Sequence, residues 1–447
     1  MPSAIFTIGR SGLTASRLSL ELTAQNVANA ANPDYSRRSL TQSELVMTGN
    51  IGIGASADSL GGVRPGVVVR AESALVQRQA RDTSSGLAAA ETEFFAMREA
   101  ESALETSGLF TGLVAFEAAL TRLEGNPLEP ALRLSALESV RTMAANFRVA
   151  DSTLANARSL VQDEAAAMVP DINELAAELA KVNRDLVASR EGTAGRAALL
   201  DARDKALRGL AEEFGIAATI NANGTADVTI DAAPPVALVT GGVAASVNLA
   251  FAADGTLAFD IGGTAFAPTG GAMAGRAAAL DQMVGLQTGV DSLAASVIAI
   301  ANTAQSAGVD TDGNPGQPLL SGTSAADIDV ALASANGLAT APAGAPAGSR
   351  DTGNLAALLA SLGAATGPAA GADTLLLGLS SRVSALDTRR EGLGIVAASA
   401  EGELLRATGV DLDTEAANLV RLQQAFEANS RVIQVATELF DTLLGLR

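Results

Sequence analysis

Residues 412–444 read LDTEAANLVRLQQAFEANSRVIQVATELFDTLL. Leu412, Leu419, Phe426, Ile433 and Phe440 recur at a seven-residue period, with Leu422, Ala436 and Leu443 beside them, and neither proline nor glycine interrupts. That period lays one apolar stripe along an α-helix, the pattern of a coiled-coil seam. At the α-helical rise the helix runs about 50 Å. Asp413 and Glu415 in its first turn suit the positive end of the helix dipole and mark the expected cap. A seam this apolar needs a second helix to cover it.

The other end of the chain offers one. Residues 3–30 lack proline and carry Phe6, Leu13, Leu20 and Val27 at the same spacing, with a second stripe of Ile8, Ala15, Leu18 and Leu22. Two stripes predict two buried sides. Pro33 then disfavours helical geometry at Asn32 and ends the helix. From 39 to 70 glycines accumulate and Val67, Val68 and Val69 have strand propensity, which predicts a β-containing connector.

Further inward, helical patterns cover 71–107, 112–123, 134–169, 170–189, 194–214, 276–307, 354–362 and 374–407. Between 215 and 275 the pattern alternates in short strands split by Asn223-Gly224 and Asp254-Gly255, both hairpin-turn pairs. The reading is a mainly α protein with a small β insertion and an elongated helical-bundle body. Residues 1–38 and 408–447 form a terminal helical assembly domain, 39–214 and 276–407 a discontinuous body, and 215–275 an outer β-rich insertion domain. The expected assembly seam comprises Phe6, Ile8, Leu13, Leu18, Leu20, Leu22, Val27, Leu412, Leu419, Leu422, Phe426, Ile433, Phe440 and Leu443.

Composition narrows the function. The chain has 447 residues, a formal charge of −19, and neither cysteine nor histidine, which removes thiol nucleophiles, imidazole bases and most zinc sites. An acidic surface disfavours nucleic acid. No apolar run is read as long enough to span a membrane, so no membrane insertion is expected. Gly52, Gly54 and Ala57 superficially fit a dinucleotide loop, but no strand precedes them and no helix start faces them. Asp310, Asp312 and Asn314 start like a calcium loop, yet Pro315 and Ser321 stand where glycine and a bidentate glutamate belong. Carboxylate pairs such as Glu212 with Glu213 have no partner base. We therefore expect no catalytic residue, no metal and no cofactor.

The segment 22–29, LTAQNVAN, with Pro33, Tyr35, Ser36 and Arg37 after it, resembles the N-terminal signature of bacterial flagellar rod, hook and hook-associated axial proteins. Asn26, Asn29, Asn429 and Asp441 also fall on family signature positions, and the C-terminal run is most similar to the hook-associated members. Phe426 stands where those members have tyrosine. Leu199-Leu200-Asp201-Ala202-Arg203-Asp204 agrees with the family order. The resemblance implies a structural subunit rather than an enzyme, forming the layer between hook and filament through its terminal helices. It implies type III export without a cleaved signal peptide, a place outside the cell, and a cytosolic chaperone on the C-terminal helix. The implied partners are hook protein, a second hook–filament junction protein and copies of the chain in a ring. A hook or distal-rod subunit is one alternative. A secreted enzyme or adhesin using 215–275 is another.

Overall fold

The computed structural model describes residues 2–45, 61–232 and 234–445, with side chains from Ile5 to Thr442 within those ranges. Gly52, Gly54 and Ala57 lie outside the described residues. Nine helices dominate the described residues: α1 (Pro2–Ala28), α2 (Ala74–Thr106), α3 (Leu109–Gly125), α4 (Pro130–Ala188), α5 (Ala194–Glu213), α6 (Gly271–Ala307), α7 (Gly353–Leu362), α8 (Pro368–Thr408) and α9 (Leu412–Gly445). The protein is mainly α-helical, and its strands are few and short.

The chain divides into two compact units. The first contains residues 1–86, 171–247 and 394–447. Here α1 and α9 pack antiparallel, so that Gly9 lies against Ile433 and Gly12 against Asn429. The approach is tight. A Cβ on Gly9 would stand 2.9 Å from Ile433 Cγ1, and one on Gly12 2.6 Å from Asn429 Oδ1, so glycine at both positions lets the helices close. Beside them β1 (Arg38–Glu44) pairs antiparallel with β2 (Val63–Arg70), with an irregularity at Thr41. The Thr41 hydroxyl repairs the ladder there by accepting from Val67 N at 2.9 Å.

Strands β3 (Ile216–Ile220), β4 (Ala226–Ile230), β5 (Val236–Thr240) and β6 (Val243–Ala244) form a four-stranded antiparallel meander in the same unit. The two hairpin pairs read in the sequence sit at turns, with Gly224 and Gly255 both at positive φ, 82° and 80°. Asn183 on α4 fastens the meander: it accepts from Ala226 N and donates to the carbonyls of Ala226 and Gly241. Strands β7 (Val247–Phe251), β8 (Leu257–Ile261) and β9 (Thr264–Phe266) make a separate sheet, which from Asn248 onward belongs to the second unit. The region 215–275 thus contains two sheets.

The second unit, 87–170 and 248–393, has a core of Met97, Leu104, Phe116, Leu120, Met143 and Phe147, all fully buried, joined by α6, α7 and α8. Arg133 is buried within it and donates to the carbonyls of Pro127, Ala335, Asn336 and Leu338. Burial lowers its guanidinium pKa, against the opposing charge of Asp310. Asp310 receives the backbone N–H groups of Asp312 and Asn314 at 2.9 and 2.8 Å, so the stretch that resembles a calcium loop folds as a self-bonded turn.

Two readings of the sequence need correction. Residues 134–169 and 170–189 are one helix, because Ala165 before Pro170 and Ile172 and Ala176 after it keep one buried face, and a proline removes only one helical hydrogen bond directly. In addition, α6 contains an 18-residue window of mean hydropathy 1.5, long and apolar enough by itself to cross a bilayer. Its Leu280, Met283, Val290 and Val297 are core residues here.

Candidate assembly site

Three sequence motifs far apart in the chain meet at one joint in the first unit. Asn26, near the end of α1, is almost wholly buried. Its Oδ1 accepts from the Tyr35 hydroxyl at 2.8 Å and from Arg38 N at 3.0 Å, while its Nδ2 donates to Arg38 O at 2.8 Å. The reversal after α1 is therefore bonded through one asparagine. Asn29 caps the helix end by donating to Gln25 O. Asn32 Oδ1 receives Asp34 N, and no described non-glycine residue has positive φ, so Asp34 fits its turn without strain. Pro33 is exposed and Ser36 buried.

The same turn aims arginines inward. Arg38 meets Asp201 at 2.6 Å and lies over the Tyr35 ring, 4.7 Å from its centroid. Arg70, at the end of β2, meets Asp201 and Asp204, each at 2.7 Å. Arg203 also pairs with Asp204, and Gln77 donates to it. Three guanidiniums thus share two carboxylates, nearly all out of solvent. Such groups are tolerable in a low-dielectric site only when mutually paired. Burial acts to lower the Arg70 pKa, but Asp204 and Asp201 outweigh it and leave it raised. Burial also pushes the Tyr35 phenol up, with Arg38 opposing and Asp201 and Glu415 reinforcing the shift.

Arg37 joins α9 to this cluster. Its Nε donates to Glu415 at 2.8 Å, and its backbone N–H donates to Thr408 O. Glu415 is only 2% exposed. The expected cap is corrected accordingly: Asp411, not Asp413 or Glu415, receives the first free N–H groups of α9, from Asp413 and Thr414. Glu415 turns to the arginine because that face of the helix is covered.

The seam residues separate into three sets. Leu22 is buried; Leu13, Leu18, Leu20, Leu419, Leu422, Phe426 and Ile433 are half-buried. Phe6, Ile8, Val27, Leu412 and Phe440 are exposed, at 44, 41, 39, 54 and 54%. Exposed beside them on α9 are Val420, Val432, Val435 and Leu439. The side chain of Leu443 lies outside the described residues. Of the remaining signature positions, Asn429 packs on Gly12 and Asp441 is exposed. Sequence reading missed Arg38, Arg70, Gly9 and Gly12. Two arginines flanking a glycine-rich stretch carry no local signal of a shared carboxylate well over a hundred residues away.

The arrangement ties the turn after α1, the end of β2, α5 and the start of α9 together. Fold and site together define a helical protein whose two ends are paired and locked to one charged joint. Residues 97–320, half of the chain, match the family model of the flagellar hook-associated protein FlgK helical domain, and residues 402–446 match that of the flagellar basal body rod FlgEFG protein C-terminal. The chain belongs to the flagellar hook-associated protein FlgK family. It is 24% identical to flagellar hook-associated protein 1 of Salmonella typhimurium over 51% of this chain and 41% of the relative. It is 26% identical to that of Escherichia coli, over 51% and 42%. The matches thus span less than half the length of those relatives. The flagellar hook junction protein FlgK from Burkholderia pseudomallei superposes with a TM-score of 0.48 at 21% identity, over 54% of this chain and 46% of that one.

Proposed function

We propose that this chain is a structural subunit of the bacterial flagellum, forming the layer between hook and filament, and that it serves motility rather than catalysis. The observation that carries this reading is the apolar surface left over after the terminal helices have paired. Phe6, Ile8, Leu412 and Phe440, with Val435 and Leu439, stay exposed on a helix pair whose facing sides are packed on each other. A soluble chain gains nothing from that surface unless further helices cover it. Neighbouring copies in a ring, hook protein on one side and a second junction protein on the other supply such helices. The family match over 97–320 supports the hook-associated reading over a hook or distal-rod subunit.

The same surface needs cover before assembly, which fits a cytosolic chaperone on α9 and type III export. The absence of cysteine suits a chain that folds on arrival outside the cell, since no disulfide has to form. The test is genetic and structural. Cells lacking the chain should carry hooks without filaments and release unassembled filament protein, and the full chain supplied in trans should restore filaments. Normal filaments in the deletion strain would overturn the reading.

A further inference from the structure

Three long helices run without interruption from one compact unit into the other, and each carries a weak residue at the crossing. In α2 the boundary falls at Gly86, in α4 at Pro170, and in α8 at Gly394, two residues after Gly392. Glycine and proline are the two poorest residues for a helix interior. Glycine loses the most backbone freedom there, and proline cannot donate to the carbonyl four residues back, which here belongs to Ala166.

Packing does not demand these residues. A Cβ on Gly86 or on Gly392 would meet no atom within 4 Å, and Pro170 is exposed. The contrast is with Gly9, Gly12 and Gly275, where a neighbouring atom would stand closer than 3.0 Å to a Cβ. In α2 the weak turn is a single glycine, and in the interior of α4 a single proline. The α8 helix also has open space around Gly378 and Gly402, but only at 392–394 do two glycines fall within one turn.

We propose that α2, α4 and α8 are jointed helices, each built to bend at one weak turn, Gly86, Pro170 and Gly392 to Gly394 respectively. This inference concerns the isolated chain and stands independently of the flagellar reading.

The chain has no cysteine, so paired cysteines label it cleanly. Spin labels at Gln79 and Arg98, at Asp163 and Lys181, and at Ser384 and Glu403 each straddle one joint along a single helix. Glu138 with Asn156 provides a reference pair inside α4 at the same separation as the Asp163 pair. In a straight helix all four pairs stand about 27–29 Å apart. Pulsed dipolar spectroscopy of the parent chain should give broader distributions for the three straddling pairs than for the reference. Gly86→Ala, Pro170→Ala and the double change Gly392→Ala with Gly394→Ala should each make its own pair about two-fold narrower. Gly378→Ala and Gly402→Ala should leave the Ser384 pair as broad as before. Straddling pairs as narrow as the reference in the parent chain would overturn the proposal, and so would equal narrowing by the control substitutions.

Discussion

At the scale of the residue, Asn26 bonds the reversal after α1 through three buried hydrogen bonds. Replacing it by alanine leaves the Tyr35 hydroxyl, Arg38 N and Arg38 O without their partner in a buried site. Stranded buried polar groups cost roughly 1–3 kcal/mol each, so Asn26→Ala should destabilise the unit by about 3 kcal/mol after partial relaxation. Asn29→Ala, at a half-exposed cap, should cost about 0.5 kcal/mol. The chain has one tyrosine and no tryptophan, so tyrosine fluorescence during urea unfolding reports on this joint alone. Equal midpoints for the two variants would contradict the assignment. The same phenol predicts an alkaline weakness. Its folded pKa lies above the ordinary 10.0 because burial disfavours the phenolate. Above about pH 10 the unfolded chain gives up this proton while the folded one keeps it, so stability falls as pH rises and is untouched by this group below that point. The urea midpoint should therefore drop as pH rises above about pH 10 in the parent chain and drop less in Tyr35→Phe.

At the scale of the element, the heptads identified the right helices but not the face that pairs within the chain. On α1 the buried positions are Gly9, Ala15, Ser16, Ser19, Leu22, Thr23 and Asn26, whereas Phe6 and Val27 of the heptad stay exposed. Two helix backbones that approach closely need small side chains, and a hydrophobicity pattern is blind to those. The apolar period therefore marked what the pair presents outward as much as what it hides. Ile433 shows the consequence, for it lies at the centre of the C-terminal heptad but also against Gly9. Ile433→Asp should break the α1–α9 pairing itself, costing about 2–4 kcal/mol for a half-buried carboxylate facing apolar groups. Leu439→Asp, on an exposed position, should change the stability of the isolated chain by no more than about 0.5 kcal/mol. If the exposed face is the one neighbours cover, Leu439→Asp chains should still be secreted while filaments fail to attach. Helix-pair exchange protection separates the two effects: it should fall in Ile433→Asp and persist in Leu439→Asp. Filaments on Leu439→Asp cells would move the assembly surface elsewhere.

At the scale of the whole molecule, the division of the chain was the part least legible in its sequence. Alternating strands between 215 and 275 read as one insertion because periodicity reports local geometry and not which helix a sheet rests on. The deciding contacts come from α4, in which Asn183 holds β4 and β5, while Arg158 and Gln162 bond the β7–β8 turn at Asp254 and Gly255. One helix thus anchors two sheets, in different units. Removing 215–275 as a block would strip both, whereas single changes should separate them. Asn183→Ala unpairs buried backbone groups of the meander and should cost about 2–3 kcal/mol there. Phe259→Ala takes away a ring that is 2% exposed and stacked on Phe266, a cavity worth roughly 3–4 kcal/mol. Hydrogen exchange read by mass spectrometry should show faster exchange in 216–244 for the first variant and in 248–266 for the second, with the other sheet unchanged in each case. A single insertion folding as one body would lose protection across both ranges in either variant, and that outcome would rejoin what the contacts divide.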